Sequence, residues 1–233
     1  MKTVFFDLDD TLYYRFDPFS KACGRMFGIT DEAVLQKAFE RVDYHGSGVF
    51  YDHEQGKITA EQMYIHRYVN GFADIGITLS EREALDFYDC YQYYLDHLEI
   101  SDRTTEVLDL CLCLFKEIGI ITNGPSEHQR SKIKALKLDK WVKPEMIFIS
   151  SETGSAKPDK GIFLKAQNNS CQDAENLVMC GDSFKNDIAP VLELNWKTIY
   201  LNKRAFENPD AAKADYCALR IEQLREILPL AAK

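Results

Sequence analysis

The chain reads as an α/β protein, a doubly wound parallel sheet into which an all-helical domain is inserted. Three observations point there. After residue 100, short apolar runs alternate with amphipathic helical stretches at intervals of roughly 20 to 30 residues, the pattern of βαβ units. One further buried-strand run, Val4-Phe5-Phe6, stands alone near the start, and about a hundred residues separate it from the next strand, where a βαβ unit takes only about 30. Within that gap the apolar spacing is helical.

In chain order, the first strand ends at Phe6. The insert then shows helical patterns at 17–28, 31–43, 59–73 and 80–97, the second and fourth opening on Thr30 and Ser80 as N-caps. A helix at 104–115 returns the chain to the sheet. Next come a strand at 117–123, a helix across SEHQRSKIKALKL, a strand at 146–150, a helix at 159–168, a strand at 177–180, a helix at 186–193 and a strand at 198–201. Connections between parallel strands are taken as right-handed. The domain expectation is 1–14 with 101–233 for the sheet, and 15–100 for the helices.

Composition removes several classes of function. With 233 residues, 45% hydrophobic and 28% charged, the chain can bury a sizeable core as a globular protein. No apolar run approaches the roughly 20 residues that cross a bilayer, and the first residues lack signal-peptide features, so a cytoplasmic protein is expected. Seven scattered cysteines read as reduced, mostly buried thiols; Cys111 and Cys113 lie two apart in a helical pattern and make no zinc pair. The net charge is −9, and residues 14–100 hold 15 acidic against 8 basic side chains. With no basic stripe, a nucleic-acid polymer is not an expected partner.

The insert is rich in tyrosine, with Tyr88, Tyr91, Tyr93 and Tyr94 on one helix, a spacing that packing explains better than a ligand cage. Residues 44–52, YHGSGVFYD, read as a glycine-loosened loop that offers His45, Phe50 and Tyr51 for substrate recognition; an ordinary inter-helix turn is the competing reading.

The chemistry lies at the strand ends, where open parallel sheets bind ligands. Asp7 and Asp9 follow the first strand, Thr122 and Asn123 the second, Gly181-Asp182 the fourth, and Lys157 follows the third. Carboxylates gathered in one place repel unless a cation joins them, and an all-oxygen donor set suits Mg²⁺. Near such a cation Asp7 can attack phosphorus as a nucleophile, dividing a hydrolysis into two easier steps. Asp9 is expected to share a face with Asp7, about 7 Å away in extended backbone, and to protonate the leaving oxygen. Thr122 can donate to a phosphoryl oxygen, with the following helix start helping. Pro158 is expected in the first turn of the next helix, with Lys157 aimed into the site. Asp10 reads as a turn or surface-pair residue, and Ser126 with Gln129 as a capping box. Leu12 and Pro18 stand where an EF-hand needs Gly and Glu, which excludes that motif.

DLDDTL at 7–12, TN at 122–123, Lys157 within GSAKP and GDSFKND at 181–187 resemble the four motifs of the haloacid dehalogenase superfamily, in order and spacing across nearly the whole chain. The resemblance implies a Rossmann-like, three-layered core and a helical C1 cap. It makes Asp7 the nucleophile and Asp9 the general acid and base. Thr122, Asn123 and Lys157 bind the phosphate; Asp7, the Asp9 carbonyl and Asp182 hold Mg²⁺; and Asp187 supports the metal's water or Lys157 from behind. Members that dehalogenate lack an acid at position 9, as do phosphonatases, so a phosphatase of a small phosphomonoester is implied. FFDLDDTLY is further similar to a branch with pyrimidine 5′-nucleotidases, so a nucleoside 5′-monophosphate is one expected substrate. Sugar-phosphate phosphatases and phosphomutases share the four motifs. A phosphate-responsive binding protein without catalysis is the reading from another class, against which a large insert and a proton donor at position 9 both argue.

Overall fold

The structure is a computed structural model that describes residues 1–203 and 209–233. It divides into two compact units, Met1–Tyr14 with Glu99–Lys233 and Arg15–Leu98.

The first unit holds a six-stranded sheet: β1 (Thr3–Phe6), β2 (Glu117–Thr122), β3 (Ile147–Ile149), β4 (Leu177–Gly181), β5 (Lys197–Leu201) and β6 (Tyr216–Ala218). Its order is β3-β2-β1-β4-β5-β6 and every pairing is parallel, with helices on both faces. All four residues of β1 and all five of β4 are buried, as strands covered on both sides must be. Strand order reverses at β1, whose neighbours are β2 and β4; their carboxyl ends bound the crevice where such sheets bind ligands. In register with Phe5 sits Gly119, where an added Cβ would lie 2.4 Å from the Phe5 ring. That ring stacks on Trp196 at 5.5 Å, so the glycine in EIGIIT is the space one aromatic occupies.

The second unit contains the helices α1 (Phe16–Phe27), α2 (Glu32–Glu54), α3 (Ala60–Ala73) and α4 (Glu81–Asp96). Phe19, Phe39, Tyr68, Phe72 and Phe87 meet in its core, with Tyr64, Tyr88, Tyr91 and Tyr94 packed against it. The tyrosines of α4 are therefore packing groups, except Tyr93, which is exposed. Helices α2 and α3 cross closely at Gly71, where a Cβ would come 2.6 Å from Val42. Ser80 caps α4 in a full capping box, whereas at the start of α2 it is Asp31, not Thr30, whose carboxylate accepts from the Val34 N–H at 3.0 Å.

Residues 44–52 are not a loop. Helix α2 runs through them, because Gly46 and Gly48 cost a helix only about 1 kcal/mol each, and at Gly46 a Cβ would press within 2.9 Å of the Arg67 guanidinium. His45 faces Asp74 through a 2.8 Å contact from Nε2, and Phe50 is half-buried on the same helix. The Tyr51 side chain lies outside the described residues.

The seven cysteines are all free, but only Cys23, Cys111 and Cys180 are buried; Cys113, Cys171 and Cys217 are exposed. Cys111 and Cys113 point to opposite sides of α5 (Asp102–Leu114), as two positions 200° apart on a helix should. Among the described residues, no helix is long and apolar enough to cross a membrane.

Candidate active site

Asp7 extends β1 by one residue, its N–H bonded to the Cys180 carbonyl at 2.9 Å, and is 5% exposed. The backbone then turns at once: the Thr11 and Leu12 N–H groups both return to the Leu8 carbonyl, and Asp10 takes a positive φ of 59°. Asp9 therefore stands on a helical turn rather than in extended chain. Asp10 is buried, not a surface residue, and its left-handed backbone is one that Asp tolerates better than most.

Lys157 comes from the segment between β3 and α7 (Lys160–Ser170). Its ammonium lies 2.6 Å from an oxygen of Asp7, 2.6 Å from one of Asp187 and 3.1 Å from the Ile121 carbonyl. Pro158 precedes the helix instead of opening it, since Asp159 is the N-cap. Asn123 fixes Lys157 in place. Its Oδ1 accepts from the Lys157 N–H and its Nδ2 donates to the Lys157 carbonyl, both at 2.8 Å. The sequence expectation for Asn123 is phosphate binding; the structure shows its amide in these two bonds to the lysine's backbone.

Asp182 follows β4 directly, and a π-helical turn at Phe184–Ile188 carries Asp187 back beneath it. Such turns recur at functional sites because they re-aim one side chain. Gly181 makes room: a Cβ there would fall 2.4 Å from an Asp187 carboxylate oxygen. The Ser183 N–H donates to that same carboxylate at 2.9 Å. One oxygen each of Asp7, Asp182 and Asp187 lies within 4.8 Å of the others.

Electrostatics follow from these positions. Burial pushes Asp7 up to about 7; Lys157 opposes this, but its one ammonium is shared with Asp187, whose charge, with that of Asp9, adds to the rise. Burial alone would lower Lys157, yet the Asp187 and Asp7 carboxylates more than offset it and raise it, so the ammonium stays charged. The carboxylates thus outnumber the cation that faces them.

Gln129, Lys132 and Tyr13, missed in the sequence as site residues, also reach this site. Helix α6 (Ser126–Ala135) begins behind Pro125 with no side-chain cap, so Ser126 and Gln129 form no capping box. Ser126 donates to Glu152, and Gln129, 2% exposed, turns inward. Gln129 Nε2 donates to Asp9 at 2.9 Å and to the Thr122 hydroxyl at 2.5 Å. Lys132, one turn further along α6, bonds Asp9 Oδ1 and Gln129 Oε1, each at 2.7 Å. The Tyr13 hydroxyl also donates to Asp9. A glutamine and a lysine three apart on one helix face, directly after TNG, are the signal that was present in the sequence. Gly124, at φ 143°, would with a Cβ come 3.2 Å from the Gln129 side chain, so the third residue of TNG serves the same contact.

A profile of haloacid dehalogenase-like hydrolases matches residues 1–192, and the chain belongs to that family. Along nearly its whole length it is similar to the pyrimidine 5′-nucleotidase YjjG of Escherichia coli, 27% identical over 97% of this chain and 96% of that one. It is also similar to the glyceraldehyde 3-phosphate phosphatase of Pyrococcus furiosus, 28% identical over 98% and 93%. Among solved structures, the magnesium-bound HAD-hydrolase YfnB of Bacillus subtilis shares the fold, with a TM-score of 0.73, 22% identity and coverage of 97% and 98%.

Proposed function

We propose that this chain hydrolyses a small phosphomonoester with Mg²⁺ through a phosphoryl-aspartate on Asp7. The observation that carries the reading is the group of buried Asp7, half-buried Asp182 and buried Asp187, with Lys157 inserted beside two of them. The donors fit the metal. They are hard oxygens, their combined charge exceeds that of the one lysine, and Gly181 leaves open the space that Asp187 fills. Asp7 and Asp182 would hold the ion with the Asp9 carbonyl, and Asp187 would support Lys157. When bound, Mg²⁺ neutralises phosphate charge and lets an anionic carboxylate approach phosphorus.

The protein's own groups divide the remaining work. Asp7, held at the end of β1, attacks phosphorus and takes the phosphoryl group while Asp9 gives a proton to the leaving oxygen. Asp9 then removes a proton from water as it attacks the phosphoryl-aspartate, and phosphate leaves. Thr122 accepts from Gln129, so its hydroxyl proton is available for a phosphoryl oxygen. Lys157 holds positive charge where negative charge builds on the transferring group. The substrates named for the two curated relatives, a pyrimidine nucleotide and glyceraldehyde 3-phosphate, are both phosphomonoesters, which supports that class.

The test is phosphate release from a panel of nucleoside 5′-monophosphates, sugar phosphates, triose phosphates and 4-nitrophenyl phosphate, with Mg²⁺ and with EDTA. Metal-dependent release from some of them, absent in Asp7→Asn, is the expected result. Release from none would favour the non-catalytic binding reading, and transfer to another hydroxyl of the same sugar would identify a mutase.

A further inference from the structure

We infer that Lys132 and Gln129 are positioning residues for Asp9, holding its carboxylate apart from the Lys157 cluster in the place from which it serves the leaving group. The inference rests on the phosphatase reading above and deepens it. The physical problem is competition. Asp9 sits two residues beyond Asp7, and a flexible carboxylate so near Lys157 and an acidic metal site has strong reasons to turn toward either cation. Lys157 bonds Asp7 and Asp187, and Asp9 is not among the three carboxylates that converge. Its oxygens instead receive Lys132 and the Tyr13 hydroxyl on Oδ1 and Gln129 on Oδ2.

The geometry is built rather than incidental. Lys132 is only 12% exposed in its side chain, and it bonds Gln129 as well as Asp9, which closes a triangle of three hydrogen bonds. Charge-assisted bonds of this kind are shorter and stronger than neutral ones, and the triangle restricts the rotamer of all three side chains. Gln129 further ties Asp9 to Thr122, since its two N–H groups serve one each. The proton donor and the phosphate-binding hydroxyl are thereby set relative to one another by a single buried amide. A structural role for α6 alone would not require these contacts, because the helix is already anchored by buried Ile133.

The test compares two aryl esters. Phenyl phosphate has a leaving group that needs a proton; 4-nitrophenyl phosphate scarcely does. Lys132→Met should lower kcat/KM for phenyl phosphate about 10- to 100-fold and for 4-nitrophenyl phosphate less than about 3-fold. Lys132→Arg should restore most of the difference. In an Asp9→Asn background the same Lys132→Met change should cost nothing further, because the residue it acts through is gone. Gln129→Met should show the same leaving-group dependence, with an added rise in KM through Thr122. A crystal structure of Lys132→Met should show the Asp9 carboxylate displaced from Gln129. Equal losses on both esters, or a loss that persists beside Asp9→Asn, would overturn the inference. If Asp9→Asn slows phenyl phosphate while Lys132→Met matches the wild type, this inference fails and the phosphatase reading stands. If Asp9→Asn is as fast as the wild type, the acid/base reading fails and takes this one with it.

Discussion

One ammonium, Lys157 Nζ, faces two carboxylates, with a third beside them, and most of the site's behaviour follows from that imbalance. Asp7 carries a pKa near 7 against an ordinary 3.8, so the metal-free protein binds a proton there that the unfolded chain has lost. Stability from this group is therefore full below about 4 and falls as pH rises through about 7, the reverse of a salt-bridged surface carboxylate. A divalent ion must displace the same proton. The apparent affinity for Mg²⁺ should accordingly rise with pH through about 7 and level off above, as isothermal titration in buffers from pH 5.5 to 8.5 would record. Removing Lys157 leaves Asp7 and Asp187 buried without the cation they share. Lys157→Met should lose about 3–5 kcal/mol in metal-free denaturant unfolding at pH 8, and less at pH 5.5 where the carboxylates can protonate.

The elements that could be read from the sequence are those whose signal is local. Val4-Phe5-Phe6, the IGII of β2 and the LVMC of β4 are buried on both faces, so their apolar runs are unbroken and mark strands directly. Asp7, Thr122 and Asp182 follow from those strands, because a strand's end fixes where the next side chain stands. What could not be read depends on tertiary partners. Gly46 and Gly48 resemble a loop until Arg67 is seen against Gly46. Gln129 resembles a cap until Asp9 and Thr122 are seen in front of it. Asp9 was expected in extended chain, but the Leu8 carbonyl captures the turn first. The edge strand β6 is three residues, one of them buried, and leaves almost no periodicity to detect. Gly119 offers a direct check on packing across β1 and β2. Gly119→Ala should destabilise the protein by about 1–3 kcal/mol through overlap with Phe5, measured as a lower denaturant midpoint at unchanged m-value.

For the whole molecule, a cation that binds the folded chain and not the unfolded one stabilises it by mass action. Raising Mg²⁺ to 100 times its dissociation constant should add about 2.7 kcal/mol and lift Tm, and Asp182→Asn should suppress that shift. The central claim is that the phosphoryl group passes through Asp7, and the acid quench of a reacting enzyme examines it directly. In Asp9→Asn, where the second step lacks its base, 4-nitrophenyl phosphate with Mg²⁺ should leave a phosphoryl adduct that peptide mass spectrometry assigns to Asp7. Phosphate release with no adduct on that peptide, or an adduct on any other residue, would contradict it.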